Sequence, residues 1–409
     1  MSSAMMALAV LQKGHCVVYG WSDPDHFWRA CYSDVAVVNA SSVLADRGFP
    51  YAGESPSELP VLSGLTMWAL SWASPYSGGD RLAQQWVFGL WAVAAMVLMA
   101  GATVALVRLR PAMPWQSTHL ALSPVLAVLA LVSVDLMGVT LAIWGIYVWS
   151  RGRPRLAGML FGLALLVRPM ALVFCVAAVL VSARTGRVRD SLTVLVSAAI
   201  GALGVYLPLL LLVGEPMLAA PRAWLSGSAS YGALALLPSL AGISVPGSVI
   251  TAVAIAGLLF ALWIGWLLSA RITCDQPLAA VAALSAVMLF VVFATSASVS
   301  VQTGLWVLPV LALSTVLWRD HLIWAAIEIV HFEAVWLYIG FGIDRGRGLP
   351  PQAYTIAIIA RVLAWGYVLA RVWMSASSAQ RPAQGSTTSL PDVPPAARSR
   401  WASATSSRG

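Results

Sequence analysis

Apolar stretches of about 20 residues recur along this chain, separated by short loops that carry arginine. A water-soluble core cannot hide that many apolar runs, whereas a bilayer accommodates them without further burial. The chain has 409 residues, of which 60% are hydrophobic and only 10% charged; soluble domains carry about 25% charged residues. The sequence therefore implies an all-α, polytopic membrane bundle, with the lipid bilayer as its first partner. The net charge of +8 sits in short loops and in the tail, as the positive-inside rule expects. It forms no basic stripe of the kind that reads nucleic acid, so no nucleic-acid partner is expected. Lys13 is the only lysine among 24 basic residues, and no functional weight is placed on that bias.

The basic loops set an expected topology. Arg108–Arg110, Arg151–Arg155, Arg184–Arg189, the neighbourhood of Arg271, and Arg319 are assigned to the cytoplasm. Residues 375–409, rich in Ser, Ala and Pro with scattered Arg, are read as a disordered cytoplasmic tail after a membrane domain spanning 1–374. Trp86 to Val107 runs inward. Met113 to Ser150 and Leu156 to Ala183 are read as hairpins whose outer turns fall near Asp135 and at Arg168-Pro169. Leu192 to Val213, Val249 to Leu268, Ala279 to Phe293, Leu305 to Leu317, Ile323 to Ile339 and Tyr354 to Val372 follow, giving about twelve spans in all. The loop Gly342 to Gln352 departs from the charge rule, because Arg345 and Arg347 fall outside. Met1 to Leu11 covers only about half a span at 1.5 Å per residue, so either the first helix is short or translation starts upstream. No cleaved signal peptide is expected, since neither a basic region nor a small-residue cleavage site precedes the polar segment.

That polar segment, residues 13–83, is the large first outer loop of this scheme, with short helices lying against the membrane. It holds Cys16 and Cys31, which read either as a disulfide in an oxidising, extracytoplasmic place or as two free thiols. Cys175 and Cys274 read as isolated thiols. Asp34, Glu58, Asp135, Arg168 and Gln302 all fall in this loop or at outer ends of spans. Ionisable groups at such depths usually face a cavity and mark a site.

In detail, the chain reads Leu11-Gln12-Lys13 with Cys16, then Cys31-Tyr32-Ser33-Asp34, Arg47-Gly48, Pro50-Tyr51 and Glu58-Leu59-Pro60-Val61-Leu62-Ser63-Gly64. Ser133-Val134-Asp135-Leu136, Ala157-Gly158, Arg168-Pro169, and Gln302 with Leu305-Trp306-Val307-Leu308-Pro309 follow. This series resembles glycosyltransferase family 87, the polyprenyl-phosphate-sugar-dependent membrane transferases of actinobacteria with GT-C architecture. The likeness runs over nearly the whole chain and is most specific in the first loop. Leu59 and Val134 stand where the family has Tyr and Trp, and Arg168 where it has Lys. The resemblance implies a multi-pass plasma-membrane enzyme whose site faces the extracytoplasmic side. It would move mannose, or another sugar such as arabinofuranose, from a polyprenyl phosphate donor to a cell-envelope glycolipid or polysaccharide. No cofactor is implied beyond the donor substrate.

By the same resemblance Asp34 is the general base, beside Tyr32, and attack inverts the anomeric carbon. One carboxylate suffices chemically, because a phosphate leaves as an anion and needs no general acid. Asp34 also reads as a helix cap before Val35 to Leu44. Arg168 is the candidate phosphate clamp, or else a structural arginine satisfying carbonyls freed by Pro169. Arg47 and Arg222 are weaker clamp candidates or solvated charges. Asp135 either meets sugar hydroxyls or neutralises Arg168. Glu58 either contacts the acceptor or caps the next helix, and Gln302 either reads a sugar or bridges backbone. Glu328, His331 and Glu333 have a tempting spacing, but only the first two share a helix face, so buried polar contacts are expected there and no metal is assigned. His15 and His26 read as loop surface, and Trp21 and Trp28 as possible walls of a lipid or sugar site. A transporter or flippase, and an inactive envelope-assembly scaffold, are the competing classes. The sequence shows no inverted repeat with paired broken helices, which a transporter favours.

Overall fold

A computed structural model describes residues 2–52, 56–272 and 275–379. Among the described residues every regular element is helical. Six helices are long and apolar enough to cross a membrane: Arg81–Leu109, Val188–Val213, Gly247–Ser269, Pro277–Thr295, Trp318–Ile343 and Pro351–Ala376. A helix of 26 residues such as Val188–Val213 is about 39 Å long, enough for a hydrocarbon core of about 30 Å. Exposed leucine, isoleucine, valine and tryptophan stud these helices, for example Ile200, Leu211, Leu259 and Trp263. The architecture is that of a helical membrane protein. The last helix runs on to Ala379, a few residues into the segment read as tail; the rest of that segment and Cys274 lie outside the described residues.

Other apolar runs are helical but short. The Leu156 to Ala183 run is a hairpin of Pro154–Leu165 and Ala171–Arg184 around Arg168-Pro169. In the Met113 to Ser150 run only the second arm is continuous, Asp135–Ser150; the first breaks into Thr118–Ala121 and Val125–Leu129. Leu305 to Leu317, expected as a span, is instead the end of a 3₁₀ turn, Val301–Val307, followed by the five-residue helix Leu308–Ala312. Gly304 immediately precedes that run and Pro309 interrupts it, and every residue from Val301 to Ala312 is buried. Irregular backbone is tolerated at membrane depth where protein rather than lipid surrounds it, and this stretch meets that condition.

Close glycine packing sets the hairpin against its neighbour. A Cβ built on Gly158 would lie 2.3 Å from the carbonyl oxygen of Val194, and one on Gly162 2.2 Å from that of Ala198. This small-xxx-small pair lets the Pro154–Leu165 and Val188–Val213 backbones touch. Gly162→Val is therefore expected to force the two helices apart and to lower stability by about 1–3 kcal/mol. A thermal melt of the detergent-solubilised variant, unchanged from the parent, would contradict this packing.

Candidate active site

The first polar segment is folded back on itself before it reaches Asp34. Cys16 and Cys31 are joined by a disulfide. The Ala30 and Cys31 carbonyls are held by Gln12 Nε2 at 2.6 Å and Trp21 Nε1 at 2.9 Å. Ser33 then occupies the position before the Asp34–Ala40 helix, and its hydroxyl donates to the Leu131 carbonyl at 2.7 Å. The Asp34 amide donates to the Val132 carbonyl at 2.7 Å. These bonds dock the loop on the segment that leads into Asp135. No side chain caps the Asp34 helix, so the carboxylate is free for other partners.

Those partners converge from four parts of the chain. The Tyr32 phenol hydrogen-bonds the half-buried Asp34 carboxylate, and Gln302 Nε2 donates to Oδ2 at 3.4 Å. Arg168, Asp135 and Lys13 are the charges that act on it. Burial pushes the Asp34 carboxyl up from the ordinary carboxylate range to about 6; the Tyr32 bond, Arg168 and Lys13 pull it down, and Asp135 pushes it up.

Asp135 and Arg168 form a side-on pair. Nη2 of Arg168 donates to Oδ1 at 2.9 Å, and Nε lies 2.7 Å from Oδ2. Asp135 also accepts from Trp306 Nε1 at 3.2 Å and from Ser133 Oγ at 3.0 Å. Its side chain is 3% exposed and that of Arg168 17%. Nη1 of Arg168 has no hydrogen-bond partner among the described residues, so part of the fork remains available. Among the described residues the same arginine is the only charged one lining a cavity of about 210 Å³, whose walls include Met170, Leu172, Trp224, Ile255 and Leu258. An apolar groove is thus lined in part by a guanidinium whose charge acts on Asp34.

Lys13 belongs to this centre, although its sequence context gave no weight to it. It is fully buried, donates to the Ala30 carbonyl at 3.4 Å and sits 4.8 Å from the Phe332 ring. Burial pushes its ammonium down to about 7, against the pull of Glu333 and Asp34. Being the sole lysine in a motif-rich loop was the available signal.

Several predicted residues go elsewhere. Glu58 is exposed, and the position before the Val61–Ala73 helix is Pro60, with no side-chain cap; the capping reading of Glu58 is not what the fold uses. Arg47 donates to the Ser74 carbonyl at 2.7 Å and lies over Trp72. Arg222 pairs with Glu215 at 2.8 Å on the surface. His26, read as loop surface, is 2% exposed, because its ring packs with Phe27 and Tyr32 where the first segment meets Trp336. His15 pairs with Asp25. Trp21 is buried and Trp28 Nε1 donates to the Arg347 carbonyl at 3.0 Å, tying the first segment to the Gly342 to Gln352 loop. Glu328 does not share a site with Glu333. Its carboxylate is taken by Arg361 and Trp365.

Compared with known protein families and with curated proteins, the chain matches no family model and no curated sequence.

Proposed function

We propose that this chain is an integral membrane glycosyltransferase of GT-C type, with about twelve membrane segments counting its short and broken helices. Its donor would be a polyprenyl phosphate sugar, mannose first and arabinofuranose second. Its acceptor would be a hydroxyl of a cell-envelope glycolipid or polysaccharide at the extracytoplasmic face of the plasma membrane. One observation carries the reading: Arg168, which pairs with Asp135 and acts on the half-buried Asp34 carboxylate, also lines an apolar groove. A lipid-linked phosphate ester offers matching parts: a greasy chain for the groove, an anion for the guanidinium and a reactive carbon for the acceptor that the carboxylate would deprotonate.

The step balances without a second acid. The acceptor oxygen attacks the anomeric carbon, and its proton passes to Asp34. The bond between that carbon and the phosphate oxygen breaks, and polyprenyl phosphate leaves as an anion with inversion at carbon. Arg168 meets the phosphate through its free Nη1, as a planar and permanently charged donor. Asp135 and Trp306 keep the guanidinium aimed, and Tyr32 and Gln302 hold the base. No role at the reacting carbon is given to Glu58, Arg47 or Arg222.

Membranes expressing the chain, incubated with radiolabelled polyprenyl-phosphomannose and an envelope glycolipid extract, are expected to label the glycolipid. Failure with both the mannose and the arabinofuranose donors would reject the proposal. Transfer should rise with pH through about 6, the Asp34 midpoint, because only the carboxylate accepts a proton. The stability linkage has the opposite sign. A carboxyl raised by folding favours the protonated state, so its contribution is complete at pH below the ordinary carboxylate range and is lost as pH rises through about 6.

A further inference from the structure

Arg361 and Glu328 lie in two of the long helices and are both fully enclosed, at 0% and 1% side-chain exposure. Charges in such helices are costly unless they serve a site or a partner. Arg361 Nε and Nη2 donate to Glu328 Oε1 at 3.0 and 2.5 Å, and Trp365 Nε1 donates to Oε2 at 3.0 Å. The rest of the fork turns to backbone. Nη1 and Nη2 donate to the Ser300 carbonyl at 3.4 and 3.3 Å, and Nη2 to the Val301 carbonyl at 3.1 Å.

Those two carbonyls open the Val301–Val307 turn. The next residue is Gln302, which reaches Asp34, and the same turn carries Trp306, which reaches Asp135. Gly304 lies against the pair from the turn's middle; a Cβ there would be 2.6 Å from Glu328 Oε1. We propose that the Glu328–Arg361 pair is a positioning element, fixing this 3₁₀ turn so that Gln302 and Trp306 stay on the two carboxylates of the reaction centre. A buried ion pair is a poor source of stability compared with apolar packing. Its use here is geometric, because only a planar fork reaches a carboxylate and two successive carbonyls together.

The test is run on the full-length purified protein, with a hydrophobic carbodiimide that modifies protonated carboxyls. Labelling of Asp34, read by mass spectrometry across pH, gives its midpoint. Tyr32, Gln302, Arg168, Asp135 and Lys13 are the groups acting on it. Gln302→Ala removes a donor to the anion and should move the midpoint upward. Arg361→Lys keeps the charge opposite Glu328 but not the fork, and should move it in the same direction. Combined with Gln302→Ala, it should add nothing further. Gly304→Ala, which leaves both charges in place, should reproduce the shift and covers the case in which Arg361→Lys fails to fold.

A parent-like midpoint in folded Arg361→Lys or Gly304→Ala would overturn the proposal, as would full additivity with Gln302→Ala. A second arm rests on the transferase reading: kcat should fall about 10–100-fold with the donor KM little changed. Absence of transfer by the parent would reject that reading alone, since the labelling arm needs no substrate.

Discussion

Asp34→Asn is expected to lower sugar transfer about a thousandfold, the middle of the range for loss of a general base. The substitution keeps the shape of the side chain and its place at the start of the Asp34–Ala40 helix. It also leaves Tyr32 and Gln302 a polar partner. Donor binding should therefore persist, because the proposed phosphate contact is assigned to Arg168 on another element. Measured as initial rates with labelled donor, the loss should fall in kcat and leave KM within about twofold, the pattern of an interaction made only in the transition state. A loss smaller than about tenfold would remove Asp34 from the proton transfer. Asp135 would be a poor replacement, since its oxygens already serve Arg168, Trp306 and Ser133.

The second large effect is on stability. Arg361→Met leaves the Glu328 carboxylate, 1% exposed, with Trp365 as its remaining partner. Removing one member of a buried pair typically costs about 3–5 kcal/mol, whereas replacing both by apolar residues of similar volume is often neutral. Arg361→Met alone should thus lower the unfolding midpoint in detergent, and Glu328→Leu with Arg361→Met should restore most of it. A double variant as unstable as the single one would show that the arginine's bonds to the Ser300 and Val301 carbonyls, not its charge balance, hold the bundle.

Much of the centre was legible because its residues stand out chemically from their surroundings. Asp135 and Arg168 interrupt apolar runs, so a membrane chain has few reasons to keep them except each other or a ligand, and they do meet. Asp34 was marked by its neighbours Cys31, Tyr32 and Ser33. Arg361 carried the same signal as Arg168, a charge inside an apolar run, but nothing in the sequence says that its partner lies on the Trp318–Ile343 helix. Glu328 was noticed for its spacing to His331, which points to a shared face and not to what stands opposite. Glu58 and Arg47 show the converse limit. They lie in the same motif-rich loop as Asp34, yet loop position alone does not say where a side chain ends up. The broken Val301–Ala312 stretch escaped because hydropathy reports burial without telling lipid from protein; Gly304 and Pro309 were the clues.

The groove beside Arg168 has as one wall the Gly247–Ser269 helix, with Ile255 and Leu258 in the lining and both substantially exposed. If that helix faces lipid, as proposed, a cavity walled this way would be reached sideways, from the two-dimensional solvent of the bilayer. For a substrate dissolved in that phase, the relevant concentration is its mole fraction among lipids or detergent molecules. Rates should then follow surface dilution: adding empty micelles at constant total donor ought to slow transfer, although nothing in the bulk solution has changed.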